Sequence, residues 1–291
     1  PFLSMNPFSS RCCQHNHAQG WPYFTEHLVL ATPDNGVATA IYAACKATVK
    51  VGDGKEITLH EETNYPFEED IAFTVSTGEK VAFPFYLRIP SWTQKAEVRV
   101  NGKKVSAAPV AGKYLCINRE WANGDRVELT LPMSLSMRTW QVNKNSVSVD
   151  YGPLTLSLKI AEKYVEKDSR ETAIGDSKWQ KGADPQKWPT TEIYPDSPWN
   201  YSLVLDKKEP LKNFKVIRKS WPADNYPFTV ASVPLEVKAI GRPVPEWKID
   251  ETGLCGVLPE EDAVKGDKEE ITLIPMGAAR LRISAFPNTK E

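Results

Sequence analysis

The 291-residue sequence lacks any apolar run that approaches the ~18 residues a membrane-spanning helix requires. It also lacks an excess of basic residues, because 36 lysines and arginines stand against 37 aspartates and glutamates. These charges are dispersed along the chain, whereas nucleic-acid-binding proteins usually show a basic stripe. We therefore expect neither a membrane span nor a nucleic-acid partner.

Several catalytic and structural motifs are absent as well. The sequence contains no Gly-x-Ser-x-Gly elbow, no phosphate-binding glycine loop, no His-Glu-x-x-His and no paired Cys-x-x-Cys. Its five cysteines are an odd number at uneven spacing, so they define neither a disulfide framework nor a compartment. The chain starts at Pro1 without an initiator Met or a signal segment. We expect a processed chain or a piece of a longer protein.

Prolines and tryptophans are abundant instead, with 23 and nine copies respectively. Prolines suit turns and sheet edges and are disfavoured inside long helices. Short segments of alternating apolar and polar residues recur at roughly ten-residue spacing between polar turns. Asn101-Gly102 is a strong hairpin signal, because a type I′ turn requires positive φ at both central positions. This pattern favours a mainly β fold with two β-sandwich or jelly-roll units.

The alternation predicts strands in both halves of the chain. They are 37–43, 47–51, 56–60, 71–76, 81–89, 96–100, 114–118, 126–131, 147–150, 154–160, 201–205, 214–217, 234–239, 271–274 and 280–286. Residues 162–198 are polar and irregular, yet they carry Trp179 and Trp188. Flexible linkers seldom contain tryptophans, so this segment is interpreted as a long excursion of the fold.

One helix is predicted, over residues 21–31. Apolar residues recur there at positions i, i+3, i+7 and i+10, beginning with Trp21. Pro22 suits the first turn of a helix, because its missing amide hydrogen has no intrahelical partner there. The run Thr-Pro-Asp-Asn-Gly at residues 32–36 contains strong turn formers and ends the helical pattern.

The densest group of reactive side chains comprises Cys12, Cys13, His15 and His17. Thiolates and imidazoles are the usual ligands of zinc. A metal, or a protonated histidine nearby, would also lower the pKa of a thiol enough to make it a nucleophile. A polar loop with buried cysteines accounts for the same residues. The residues alone leave both interpretations open.

Other candidates for chemistry are weaker. Cys45, Cys116 and Cys255 each stand in or beside an apolar run, and we expect them to be small buried side chains. The acidic runs at residues 61–62 and 68–70 contain the residue types of glycosidase acids. Neighbouring strand residues point to opposite faces, however, and such runs are usually solvated. Exposed tryptophans can stack on sugar rings, although most of the nine should lie in the core.

A series of longer motifs stands in order along the chain. They are Cys-Cys-Gln-His-Asn-His-Ala-Gln-Gly-Trp-Pro at 12–22, Thr-Asn-Tyr-Pro-Phe at 63–67, Leu-Arg-Ile-Pro-Ser-Trp at 87–92, Val-Arg-Val-Asn-Gly at 98–102, Trp-Ala-Asn-Gly-Asp at 121–125, Tyr-Gly-Pro-Leu at 151–154 and Ile-Pro-Met-Gly at 274–277. In this order they resemble the β-L-arabinofuranosidase-like glycoside hydrolases of family 127, long catalogued as a bacterial domain of unknown function. The resemblance covers most of residues 9–160 and the remainder patchily.

The resemblance implies a fold and a domain order. The family has an N-terminal α/α barrel that carries the active site, followed by β-sandwich domains. We expect residues 1–35 to be the tail of the barrel, 36–160 a first β-sandwich domain and 161–291 a second β-rich domain. The expected fold is therefore mainly β, with two β-sandwich or jelly-roll-like units preceded by a short helical remnant.

The resemblance also implies chemistry. By analogy with the family, Cys12 would be the nucleophile of a retaining glycosidase, and both Cys12 and Cys13 would be zinc ligands. Many family members have two prolines where Gln14 and His15 stand here. Substrate preference is therefore expected to differ, with His15 and His17 as candidate contacts to the sugar.

The family's remaining groups precede the paired cysteines. They are a Glu-x-Cys pair that binds zinc and a carboxylate that acts as acid and base, and no Glu-x-Cys occurs in this chain. We expect the C-terminal portion of a glycosidase for arabinofuranose-like sugars of plant-type glycans, inactive without its N-terminal barrel. The parent protein is expected to be periplasmic or secreted. The alternative is a non-catalytic carbohydrate-binding or structural β-sandwich module.

Overall fold

The computed structural model describes residues 2–3, 16, 19–168, 184, 186–187, 189–251 and 253–291. Strands far outnumber helical segments, which confirms the predicted mainly β fold. No described helix is both long enough and apolar enough to cross a membrane. The chain divides into two compact units, of which residues 16–134 form the first. Residues 135–291 form the second unit, to which strand β1 (Phe2–Leu3) also belongs.

Among its described residues, the first unit contains a helix and two sheets. Its elements are α1 (Gly20–Glu26), β2 (Val29–Ala31), β3 (Val37–Thr39), β4 (Cys45–Val51), β5 (Lys55–Thr63), β6 (Asp70–Thr77), β7 (Val81–Arg88), β8 (Glu97–Val100), β9 (Lys103–Lys104), β10 (Tyr114–Trp121) and β11 (Arg126–Thr130). One sheet has the order β10-β7-β3-β2, and the other has the order β4-β5-β6-β11-β8-β9. Neighbouring strands are antiparallel, apart from the parallel pair β3 and β7.

The core of the first unit follows from the period-2 alternation of its strands. In β7, Val81, Phe83, Phe85 and Leu87 are buried, while the residues between them are partly or fully exposed. The Trp121 ring stacks on Phe83 at 5.6 Å, and its Nε1 donates a 3.0 Å hydrogen bond to the Phe83 carbonyl oxygen. Full burial of one such side chain stabilises a fold by about 1.5–3 kcal/mol. The alternation therefore both predicts the strands and accounts for their packing.

The predicted hairpin at Asn101-Gly102 is confirmed. These residues have φ values of 51° and 77° and connect β8 to β9. Asn and Gly reach this left-handed region at the least steric cost, which is why the dipeptide marks such turns.

The predicted helix at residues 21–31 is too long. Helix α1 ends at Glu26, and residues 29–31 form strand β2, which pairs antiparallel with β3. Leu28 is buried, but Trp21 is 65% exposed, so the two do not share a buried helical face. The β2–β3 hairpin, turning at Asn35 with φ of 58°, completes an edge of the four-stranded sheet. Sheet pairing therefore overrides the local helical spacing.

The second unit contains the remaining strands. They are β12 (Leu135–Trp140), β13 (Ser146–Tyr151), β14 (Leu154–Leu158), β15 (Glu162–Lys167), β16 (Thr190–Pro195), β17 (Tyr201–Leu205), β18 (Lys215–Arg218), β19 (Leu235–Pro243), β20 (Glu269–Pro275) and β21 (Asn288–Lys290), with a 3-10 helix at Met276–Ala278. The main sheet has the order β12-β13-β14-β20-β19-β17-β21, and β18 also pairs with β19. A three-stranded sheet has the order β1-β16-β15.

The two compact units divide after Ser134, within the range 36–160 expected for one domain. Residues 135–160 pack with the second unit because β14 pairs with β20, which places Leu156 opposite Pro275. The pairing joins segments more than 100 residues apart in the sequence. The residues around position 134 therefore contain no local pattern that predicts the boundary.

Candidate functional site

The predicted site residues Cys12, Cys13, His15 and His17 lie outside the described residues. The structure therefore neither brings them together nor separates them, and their roles stay predictions. Among the residues that the structure does describe, no group of three or more His, Cys, Asp or Glu side chains is arranged to hold a metal ion.

Helix α1 follows this segment directly and carries an exposed aromatic surface, formed by Trp21, Tyr23 and Phe24. These side chains are 65%, 62% and 37% exposed, and α1 buries none of its residues. The rings of Trp21 and Phe24 meet edge to face at 6.3 Å. Next to them, His27 Nδ1 lies 2.6 Å from the Tyr23 carbonyl oxygen. Adjacent exposed aromatic rings are typical of a surface that contacts a partner.

The three cysteines within the described residues are free thiols. Cys45 is half-buried, whereas Cys116 and Cys255 are exposed. The expectation that all three are small buried side chains is therefore wrong for Cys116 and Cys255. In β10, Cys116 alternates with the buried Leu115 and so falls on the outer face of its strand.

The first unit contains a buried carboxyl group at Glu61, so the expectation that the acidic run 61–62 is solvated is wrong for this residue. Glu61, on β5, is 1% exposed. Its Oε1 accepts a 3.1 Å hydrogen bond from the Ala43 amide, and its Oε2 accepts a 3.7 Å hydrogen bond from Cys45 Sγ. Burial raises the pKa of Glu61 to about 8, against the opposing effect of these two hydrogen bonds. Burial and the adjacent Glu61 raise the pKa of the Cys45 thiol to about 11.

Tyr42 lies beside this carboxyl group and connects it to Tyr65 and Arg88. The Tyr42 hydroxyl donates a 2.5 Å hydrogen bond to the Arg88 carbonyl oxygen, and Arg88 Nη1 donates a 3.3 Å hydrogen bond to the Ala40 carbonyl oxygen. The rings of Tyr42 and Tyr65 meet edge to face at 5.8 Å. Burial raises the pKa of both tyrosines. The signal for this cluster is the alternation in β5, where Glu61 continues the buried series of Ile57 and Leu59.

The next carboxylates belong to a different face, as expected for neighbouring strand residues. Glu62 opens onto a groove of about 560 Å³ on the outer face of the six-stranded sheet. Arg126 lies between two carboxylates there, with its Nη1 3.3 Å from Glu62 Oε2 and its Nε 3.5 Å from Glu128 Oε1. All three side chains are more than 40% exposed. Ion pairs this exposed contribute about 0–1 kcal/mol, so this face is a solvated one.

Among the described residues of the second unit, a partly exposed tryptophan lies on strand β12. Trp140, on β12, is 41% exposed, and its Nε1 donates a 2.8 Å hydrogen bond to Ser148 Oγ. The Arg138 guanidinium covers one face of the ring at 5.1 Å, and its Nε lies 2.7 Å from Asp150 Oδ2. One ring face is therefore occupied by a protein group.

Most of the sequence of the first unit matches the model of a known family. Residues 36–133 match the family model described as Beta-L-arabinofuranosidase, GH127 middle domain. These residues form a GH127-like middle domain. The resemblance that the ordered motifs predict is thereby confirmed. A comparison with curated protein sequences finds no match.

Solved structures share the fold of nearly the whole chain. A GH127 β-L-arabinofuranosidase from Geobacillus stearothermophilus T6 shares 21% identity and a TM-score of 0.63, over 96% of this chain and 37% of its own. A glycoside hydrolase shares 22% identity and a TM-score of 0.63, over 99% and 42%. A GH127 β-arabinofuranosidase shares 23% identity and a TM-score of 0.63, over 99% and 41%. The chain thus spans 37% to 42% of the length of these structures.

Proposed function

We propose that this chain is the C-terminal, β-rich part of a retaining glycoside hydrolase that acts on arabinofuranose-like sugars. The match of residues 36–133 to the GH127 middle domain carries the proposal. The three solved structures support it, since each includes a region with the fold of nearly this whole chain. Two of them are named as β-arabinofuranosidases, which supports the choice of sugar.

The chemistry proposed for this chain centres on Cys12 as the nucleophile that attacks the anomeric carbon. Cys12 and Cys13 offer two thiols, the ligand type that zinc prefers, but a zinc site usually takes four ligands. A bound zinc ion would hold the Cys12 sulfur as a thiolate at neutral pH. His15 and His17 are proposed to contact the sugar.

The acid that protonates the leaving group is proposed to come from outside these 291 residues. Glu61 has a raised pKa, as a general acid requires, but its 1% exposure and its two protein partners keep it from a substrate. Glu26 follows the cysteine segment, but its side chain is 57% exposed and so lies in solvent rather than in an enclosed site. We therefore expect the chain alone to be inactive.

The test compares the 291-residue chain with a longer protein that adds a helical catalytic region. With an aryl β-L-arabinofuranoside and added zinc, we expect turnover only from the longer protein. Cys12→Ser in the longer protein should abolish turnover, whereas the matched control Cys116→Ser should retain it, because Cys116 is an exposed thiol on strand β10 with no proposed role. Turnover by the 291-residue chain would contradict the proposal that the acid lies outside it. Activity of Cys12→Ser in the longer protein would contradict the proposal that Cys12 is the nucleophile.

We propose that the exposed aromatic surface of α1 contacts this helical catalytic region. Its position directly after the cysteine segment, and the 37% to 42% coverage of the related structures, argue for that occupant. Replacing Trp21 and Phe24 by Ser should lower the unfolding midpoint of the longer protein. The same pair of changes should leave the 291-residue chain unaffected, since both side chains are exposed there. The fully exposed Val142→Ser serves as a control in both.

The second candidate is a non-catalytic carbohydrate-binding or structural module, for which Trp140 is the specific observation. A ring that is 41% exposed offers part of its face to a sugar. This candidate predicts arabinan binding that survives Cys12→Ser and is lost in Trp140→Ala, as measured by calorimetry. Absence of binding together with turnover by the longer protein would favour the catalytic proposal.

A further inference from the structure

The crossover between β3 and β4, residues 40–44, passes from the four-stranded sheet to the six-stranded sheet of the first unit. Two side chains from opposite sheets hold it. Glu61 on β5 accepts the Ala43 amide hydrogen at 3.1 Å, and Arg88 on β7 donates to the Ala40 carbonyl oxygen at 3.3 Å. The crossover thus depends on one buried carboxyl group on the side of the six-stranded sheet.

The surroundings of Glu61 do not favour a negative charge. No ion pair involves Glu61 within the described parts of the chain, and its partner across the ladder on β6 is Phe73. The titratable groups facing it are the Cys45 thiol on β4 and the Tyr42 hydroxyl on the crossover.

The neighbouring groups Tyr65 and Arg88 interact with Tyr42 and not with Glu61. Tyr65, which follows β5, lies against Tyr42. The charge of Arg88 lowers the pKa of Tyr42 and Tyr65, not that of Glu61. A carboxylate at the Glu61 position would therefore be a buried charge with two neutral hydrogen-bond donors as its partners, which is costly.

We propose that Glu61 is a proton-controlled latch, which holds the crossover closed while its carboxyl group is neutral and releases it on ionisation. In the closed form the neutral carboxyl group keeps its bonds to Ala43 and Cys45. In the open form water reaches the carboxylate and stabilises its charge. The proton leaves to solvent and no other bond changes.

The direction of the pH dependence follows from the two states. Burial raises the pKa of Glu61 in the closed form to about 8, while the open, hydrated carboxyl group has its ordinary value of 4.5. Between these values the open form binds fewer protons than the closed form, so opening is favoured as the pH rises. The opening constant should increase by up to about tenfold per pH unit in this range and level off above pH 8.

The experiment measures the rate at which N-ethylmaleimide modifies Cys45 in the full chain between pH 6 and 9. Peptide mass mapping separates Cys45 from the other cysteines, and the rate at the exposed Cys116 in the same sample serves as the reference. We expect the ratio to rise about 50-fold from pH 6 to 8 and then to level off. Glu61→Gln should show a flat ratio, because an amide side chain does not titrate, and the adjacent exposed Glu62→Gln should behave like the wild type.

A flat ratio in the wild-type chain would overturn the proposal, as would an unchanged rise in Glu61→Gln. If Glu61→Gln does not fold, hydrogen exchange of the wild-type peptide 40–45 decides the matter. Its protection, corrected for intrinsic exchange, should fall between pH 6 and 8 relative to the peptide 81–88. Equal pH dependence of the two peptides would exclude a latch.

Discussion

The side-chain amide of Asn101 donates a 2.7 Å hydrogen bond to Asp125 Oδ1 and so joins the β8–β9 hairpin to the turn before β11. Asn101 Oδ1 accepts the Arg126 amide hydrogen at 2.8 Å, and Asp125 Oδ2 accepts the Ala122 amide hydrogen at 2.9 Å. The buried Asp125 carboxylate and the Asn101 side-chain amide therefore satisfy two backbone amides at the turn before β11.

Asp125→Ala should destabilise the first unit by about 1–3 kcal/mol, because it leaves the Ala122 amide and the Asn101 side chain without their acceptor. Urea denaturation followed by tryptophan fluorescence measures the change. Glu120→Ala is the matched control. Glu120 is 61% exposed, and the change removes an exposed ion pair in which Glu120 Oε2 lies 3.5 Å from Lys80 Nζ. Equal changes in unfolding free energy for the two variants would show that the hydrogen bonds of Asp125 do not stabilise the first unit.

The same carboxylate predicts an acid-sensitive part of the stability. Burial alone would raise the pKa of Asp125, but the Ala122 amide, the Asn101 side chain and the Arg119 charge outweigh it and lower the pKa below 3.8. A lowered folded-state pKa stabilises above the unfolded-state value, and the stabilisation is lost as the pH falls through the folded-state value. The difference in unfolding free energy between the wild type and Asp125→Asn should therefore shrink below about pH 4. A constant difference at acidic pH would contradict this assignment.

Gly36→Ala should destabilise the first unit by about 1–3 kcal/mol through overpacking. A methyl group on Gly36 would lie 2.3 Å from the Pro84 carbonyl oxygen on β7, and backbone cannot move aside cheaply. Gly78→Ala is the control, because a methyl group there meets nothing within 4 Å. In thermal unfolding, Gly36→Ala should have a lower midpoint than Gly78→Ala. Similar midpoints would mean that the β2–β3 hairpin shifts to accommodate the added methyl group.

In the second unit, Glu236→Gln should cost about 1–3 kcal/mol of unfolding free energy. Glu236 Oε1 lies 2.6 Å from Lys159 Nζ and 2.8 Å from Lys219 Nζ, and its side chain is 12% exposed. The variant leaves the two ammonium groups close together without their carboxylate. Glu270→Gln is the control, because Glu270 is 63% exposed beside Lys238. Urea denaturation in low salt should show a loss only for Glu236→Gln.

The parts of the fold that follow from local chemistry were predictable. The alternation in β7 and the dipeptide Asn101-Gly102 depend on which faces of a strand are buried and on the φ values that Asn and Gly tolerate. The ordered motifs likewise predict the family likeness that residues 36–133 confirm. Each of these signals lies within a few neighbouring residues.

Other features depended on pairing partners far away in the chain. Residues 280–286 resemble a strand, but in the fold they provide single backbone contacts, such as the Ile283 carbonyl oxygen that accepts the Leu158 amide hydrogen. The predicted helix loses its second half to β2, which pairs with β3. For Glu61, the alternation with Ile57 and Leu59 was readable, but its acidic character suggested a solvated face.

The sequence by itself determined the β character, the positions of most strands of the first unit and the family likeness, because each depends on periodicity or on an ordered set of motifs. Only the tertiary structure decided that the compact units divide after Ser134, that α1 leaves its aromatic rings exposed and that Glu61 is buried beside Cys45. The physical reason is that burial is set by sheet pairing and packing across long sequence separations. A residue's own chemistry does not reveal which partner covers it.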